Sequence, residues 1–139
     1  MDFQLSDEQR MWKNAIHDFC EAEIKPLAAE MDKRATFNQE AVGKMAPIGM
    51  LGLNIPEEYG GAGVDAISAA IAIEELGWAC GGTALSIAAH NGLGCAPITN
   101  FGTEEQKMKW LPGLSSGKAG LGALALTEAE AGSDLLGGI

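Results

Sequence analysis

Apolar residues recur at helical spacing through most of this chain, and short polar residues punctuate the pattern where helices start and stop. Trp12, Ile16, Phe19 or Cys20, and Glu23/Ile24 step along one face. Ser6 and Gln9 form a capping-box pattern at the start of that helix, which the pattern ends before Pro26. A second helix is predicted over residues 27–33. Asn38 is placed to cap a third from Gln39 to Met45, leading to Pro47.

Residues 51–63 read Leu-Gly-Leu-Asn-Ile-Pro-Glu-Glu-Tyr-Gly-Gly-Ala-Gly, a loop whose proline and glycines forbid a continuing helix. Asp65 caps a long apolar helix to about Trp78, broken by Cys80-Gly81-Gly82. A further apolar helical stretch runs from Thr83 to about Phe101, loosened by Gly92 and Gly94 and disturbed by Pro97. Thr103 and Gln106 form a second capping box, and that helix is predicted to end near Leu111-Pro112-Gly113. Residues 115–120 read as a linker. Residues 121–126 are apolar and bounded by glycines, so they read as a short buried strand. The expectation is an all-α helical bundle with a short C-terminal β segment. It divides into residues 1–118 and an incomplete second domain over residues 119–139.

Length and composition fit this picture. A chain of 139 residues that is 47% hydrophobic can bury one real core. The formal charge is −10, and no basic cluster exceeds Lys107 and Lys109, which argues against a nucleic-acid surface. No apolar run reaches membrane-spanning length, because Glu74 and Glu75 interrupt residues 66–73. The opening Met1-Asp2-Phe3-Gln4 shows neither a basic region nor an apolar run, so no signal peptide and a cytoplasmic location are expected. Cys20, Cys80 and Cys95 form no zinc spacing and no CxxC, and no metal site is expected; they read as buried thiols in a reducing compartment.

Several patterns invite a chemical reading. Gly120-Leu121-Gly122-Ala123-Leu124-Ala125 fits the dinucleotide fingerprint, but a helix precedes it and a strand follows, the reverse of what that fingerprint requires. Glu74 and Glu75 occupy adjacent helical positions about 100° apart, which disfavours a shared proton and favours solvated or capping roles. His17 and His90 read as packed or surface side chains, and Trp12, Trp78 and Trp110 as core or interface anchors. Ser86, Ala89 or His90, and Leu93 recur at spacings that place them on one helical face.

The most informative stretch is Ala125-Leu126-Thr127-Glu128-Ala129-Glu130-Ala131-Gly132-Ser133-Asp134, followed by Gly137. Small residues and short polar side chains after a strand let backbone N–H groups approach a ligand, so this is a plausible anion or cofactor cradle. The stretch resembles the first signature of the acyl-CoA dehydrogenases. Collinear landmarks extend the resemblance over the whole chain: Leu5-Ser6-Asp7-Glu8-Gln9, residues 52–63, Glu74-Glu75-Leu76, Asn91, Pro97-Ile98, residues 101–107 and Trp110-Leu111-Pro112. Ala129 stands where the family usually has Pro, which loosens the turn slightly without changing the pattern of cofactor contacts.

The resemblance implies an N-terminal helical domain followed by the start of a β-domain. It also implies a homotetrameric flavoprotein that removes two hydrogens from an acyl-CoA thioester, uses FAD as hydride acceptor and passes electrons to an electron-transferring flavoprotein. By resemblance, Leu124, Ala125, Leu126 and Thr127 line the flavin ring. Ser133 lies near flavin and CoA, and Ser86, Ala89 and Leu93 face the acyl chain. No residue is assigned as catalytic base: the family's Glu belongs to a C-terminal domain, and Glu128 and Glu130 are not that base. The chain alone is therefore expected to be inactive. The alternative expectation is a stand-alone helical bundle acting as a binding or assembly module.

Overall fold

Local polar chemistry starts the helices where the pattern places them. The Ser6 hydroxyl accepts the Gln9 N–H and the Gln9 side chain returns to the Ser6 N–H, opening α1 (Asp7–Phe19). The computed structural model describes residues 4–134, 136 and 137. The leaderless reading of residues 1–3, and residues 135, 138 and 139 of the expected second domain, lie outside that description. After α1 the chain runs through a π turn (Cys20–Ile24) into α2 (Lys25–Arg34), and Asn38 caps α3 (Gln39–Met45). Asp65 caps α4 (Ala66–Ala79), and α5 (Gly81–Ala89) continues through a second π turn (His90–Cys95) into α6 (Ala96–Phe101). Thr103 and Gln106 close a reciprocal capping box on α7 (Glu104–Ser115).

Both π turns precede a proline near the start of the next helix, Pro26 in α2 and Pro97 in α6. A proline inside a helix lacks an N–H and collides with the carbonyl four residues back. One wide turn moves that carbonyl away, so neither proline ends the helical path. Pro26 was expected to end it. Pro112 likewise lies inside α7, which runs past the predicted stop to Ser115.

The strand expected over residues 121–126 is not shown. These residues join no backbone ladder among the described residues. A strand needs a neighbour to pair with, and the elements beside this segment are helical.

α1 and α5 both pack against α4. Between them lies a core built on Ile16, Ile24, Met45, Leu51, Leu76 and Ile87, all almost completely buried. Each such side chain contributes about 1.5–3 kcal/mol through removal from water. A smaller cluster of Ile55, Tyr59, Cys95 and Leu111 joins the loop, the second π turn and α7. Adjacent Glu74 and Glu75 point apart as expected, but Glu75 departs from the solvated role. Its side chain is 6% exposed against 70% for Glu74. Lys13 Nζ and His17 Nδ1 of α1 donate to it at 3.1 and 2.7 Å, which offsets the cost of burying a carboxylate. No helix among the described residues is long and apolar enough to cross a membrane.

Candidate functional site

The loop over residues 51–63 is folded tightly enough to act as a fixed wall. Ala62 donates to Gly52 O at 2.8 Å, Gly63 to Ile55 O at 3.0 Å and Val64 to Leu53 O at 2.9 Å. A Cβ on Gly61 would fall 1.9 Å from the Ile55 carbonyl oxygen, so only glycine fits there. Asn91 ties this wall to the second π turn. Its Oδ1 accepts the Leu53 N–H at 2.9 Å, and its Nδ2 donates to Met50 O and Ile87 O at 2.9 and 3.1 Å. The family landmark at Asn91 is thus an inward-facing strut.

His90, beside it, is completely buried and bridges two other parts of the chain. Nε2 lies 2.8 Å from the Leu51 carbonyl oxygen, and Nδ1 accepts the Gly122 N–H at 2.8 Å. Burial pushes the imidazole below its ordinary value of 6.5, against the smaller raising effect of the bond to Leu51. The packed reading of His90 holds; its two long-range partners had no signal in the sequence.

Gly122 and Gly94 meet backbone to backbone. A Cβ on Gly94 would sit 2.6 Å from the Gly122 carbonyl carbon. The Gly122 contact joins chain neighbours of the two groups of residues singled out in the sequence. Gly94 adjoins Leu93 at the end of the Ser86, Ala89, Leu93 series, and Gly122 precedes Leu124 with only Ala123 between. Of the fingerprint-like glycines, Gly122 serves this crossing while Gly120 takes a left-handed φ of +77°, and no helix follows them among the described residues.

Ser86 and Ala89 are half-buried and Leu93 is 51% exposed, so this series does not sit in the bundle core. The Ser86 hydroxyl donates back to Gly82 O at 2.9 Å. Leu124 and Leu126 are about half exposed, and Ala125, Thr127 and Ser133 are exposed. Residues 123–127 have no backbone hydrogen bonds among the described residues; the turn that follows is closed by Glu128 and Ala131. Exposed apolar side chains and N–H groups without a backbone partner therefore occur along one short segment.

Two further concavities lie elsewhere. An apolar groove of about 360 Å³ between α6 and α7 is lined by Pro97, Ile98, Phe101, Gln106 and Trp110. A cleft of about 180 Å³ includes Met31, Phe37, Asn38, Cys80 and Thr83. Burial raises the Cys80 thiol, but hydrogen bonds from the Thr83 side chain and the Thr83 and Gly82 backbone outweigh it and hold the thiol below its usual value. Among the described residues, no cluster of three or more His, Cys, Asp or Glu side chains could hold a metal ion.

The described elements form an all-α bundle with known relatives. Residues 6–118 match the family model described as "Acyl-CoA dehydrogenase, N-terminal domain". The chain belongs to the acyl-CoA dehydrogenase family. It is 48% identical over 134 residues to the probable acyl-CoA dehydrogenase YngJ of Bacillus subtilis, covering 96% of this chain and 35% of that protein. The structure of butyryl-CoA dehydrogenase from Megasphaera elsdenii superposes with a TM-score of 0.88 at 38% identity, over 97% of this chain and 36% of that one. An acyl-CoA dehydrogenase complexed with FAD from Bacillus anthracis superposes with a TM-score of 0.87 at 39% identity, over 96% of this chain and 23% of that one. The chain thus spans about a third of the length of the curated relative it matches.

Proposed function

We propose that this chain forms the helical, substrate-side part of a flavin-dependent acyl-CoA dehydrogenase. The observation that carries this reading is the crossing of Gly122 over Gly94. It supports the reading because the chain leading into the proposed flavin segment touches the π turn that follows the proposed acyl helix. Residues 1–118 act as the helical domain, and residues 119–139 begin a second one.

The residues present fit a flavin. Leu124, Ala125 and Leu126 offer an exposed apolar edge, and the backbone N–H groups of residues 123–127 are unengaged among the described residues. Thr127 and Ser133 add hydroxyls able to donate to a ring carbonyl or a phosphate oxygen. FAD, when bound, supplies the acceptor for the β hydrogen. Ser86, Ala89 and Leu93 hold the acyl chain and exclude water from it, while the loop tied down by Asn91 keeps that wall rigid. No side chain of this chain is given the role of base. With a formal charge of −10, CoA phosphates must be held by local donors and not by the overall field. Electron-transferring flavoprotein takes the electrons onward. The groove at Phe101 and Trp110, residues 87% and 51% exposed, suits burial in a tetramer.

The test is a chimera joining residues 1–134 of this chain to the remaining length of the Bacillus subtilis relative. Anaerobic butyryl-CoA is expected to bleach the bound flavin of the purified chimera. A folded, flavin-loaded chimera that stays yellow with butyryl- and octanoyl-CoA, while the relative itself bleaches, would overturn the reading.

A further inference from the structure

We infer that His90 is a positioning residue that seats residues 119–127 on the bundle, accepting the Gly122 N–H through an Nδ1 left bare by its other bond. Both partners are one-way groups. The Leu51 carbonyl can only accept, so Nε2 carries the proton; the Gly122 N–H can only donate, so Nδ1 has none. The neutral Nε2–H tautomer is therefore the sole form that satisfies both bonds. A second proton on Nδ1 would face the Gly122 N–H at 2.8 Å and replace an attraction with a repulsion.

The surroundings leave the imidazole no electrostatic help. From its own π turn comes the Cys95 thiol, 3.6 Å from Nε2, and burial pushes that thiol up to about 11, so it stays neutral. The 50–53 turn brings the Leu51 carbonyl and residues 119–122 bring the Gly122 amide. None of the carboxylates or ammonium groups among the described residues acts on the ring. The seat is also sterically keyed. Gly94 and Gly122 touch without side chains, and Leu121 packs against the main core. The His90 bond acts with these contacts and is the last hydrogen bond to the bundle before Ala123 to Thr127 leave it.

This seating is independent of the enzymatic reading; its value to a flavin rests on the proposed function. Substitution separates the two ring nitrogens. In His90→Asn the amide oxygen stands near the Nδ1 position and can keep Gly122. In His90→Gln the amide nitrogen reaches the Nε2 position and can keep only Leu51.

Backbone amide exchange by NMR on the 139-residue chain reads the result. His90→Asn is expected to hold Gly122 protection within about threefold of wild type, and His90→Gln to lower it at least tenfold, with Leu76 and Ile87 still protected. In the wild type, side-chain 15N shifts should report Nε2–H with bare Nδ1, and Gly122 protection should fall in acid while His90→Asn stays flat. An Nδ1–H tautomer, or equal Gly122 protection in the two variants, would overturn the inference. If either variant fails to fold, the wild-type tautomer and the acid profile decide alone: a Gly122 protection factor unchanged by protonation of His90 rejects it. Both readouts work without flavin, so a failed chimera and a failed seat are told apart.

Discussion

Glu75 shows how one carboxylate can be worth burying. Its own burial pushes the carboxyl up, but the hydrogen bonds and charges of His17 and Lys13 outweigh that, and the group titrates below its ordinary value of 4.5. The folded state then binds fewer protons than the unfolded state below that value, so stability falls as the pH drops through and beneath it. Above it, Glu75 adds no pH dependence. Charge-assisted bonds are worth roughly 1.5–3 kcal/mol, reduced here because Lys13 and His17 are more than a third exposed. Glu75→Gln is expected to cost about 1 kcal/mol at neutral pH. It should also flatten the acid limb of a urea-unfolding series. An acid limb as steep as that of the wild type would count against the network. The sequence placed Glu74 and Glu75 apart correctly, since that needs only helical geometry. It missed the burial of Glu75, because Lys13 and His17 come from a helix some 60 residues earlier, with separations of 62 and 58.

Element boundaries were legible wherever the determinant is local. The boxes at Ser6/Gln9 and Thr103/Gln106 and the caps at Asn38 and Asp65 are each set within three residues. The π turns were not legible, because an extra residue in a turn shows only against the packing on either side of it. The end of α2 carries another local feature. Ala35 caps it with a left-handed φ of +52°, the only such non-glycine residue among those described. That conformation costs an L-residue about 1–2 kcal/mol, while glycine adds about 0.5–1 kcal/mol of chain entropy. Ala35→Gly is therefore expected to stabilise by about 0.5 kcal/mol and raise Tm by about 2 °C. A lower Tm in calorimetry would show that the methyl group contributes packing that exceeds the strain.

At the scale of the molecule, the bundle is finished on its inner faces and unfinished on its outer ones. Leu85, Leu93, Leu124 and Leu126 are each about half or more exposed, as are Phe101, Met108 and Trp110. One short segment offers little binding energy against the cost of ordering a large cofactor. The purified 139-residue chain is expected to be colourless and to leave butyryl-CoA unchanged; a stoichiometric flavin spectrum would refute this. The half-buried Ala89 closes α5, beside the exposed Leu93 face. In the chimera, Ala89→Phe is expected to lower kcat/KM for octanoyl-CoA at least tenfold more than for butyryl-CoA, as a clash of about 1–3 kcal/mol at depth would. Equal losses at both lengths would make Ala89 a packing residue. The helical bundle itself was legible in the sequence, because its periodicity is strong. The meeting of Gly94 with Gly122 was not legible, since a glycine-to-glycine crossing leaves no hydrophobic pattern behind.

The same crossing imposes an order during synthesis. His90 and Gly94 leave the ribosome before Gly122, as does Gly113, whose carbonyl accepts the Ala119 N–H at 2.9 Å. The main core draws on residues 119–122 only through Leu121 at its margin. Domains fold as units while the chain emerges, N-terminal parts first. The nascent bundle can therefore close on its own, and Gly122 arrives to a receptor already built. The released fragment 1–118 should resist proteolysis over α1 to α7, whereas a bundle needing the later residues would be open to cleavage without them.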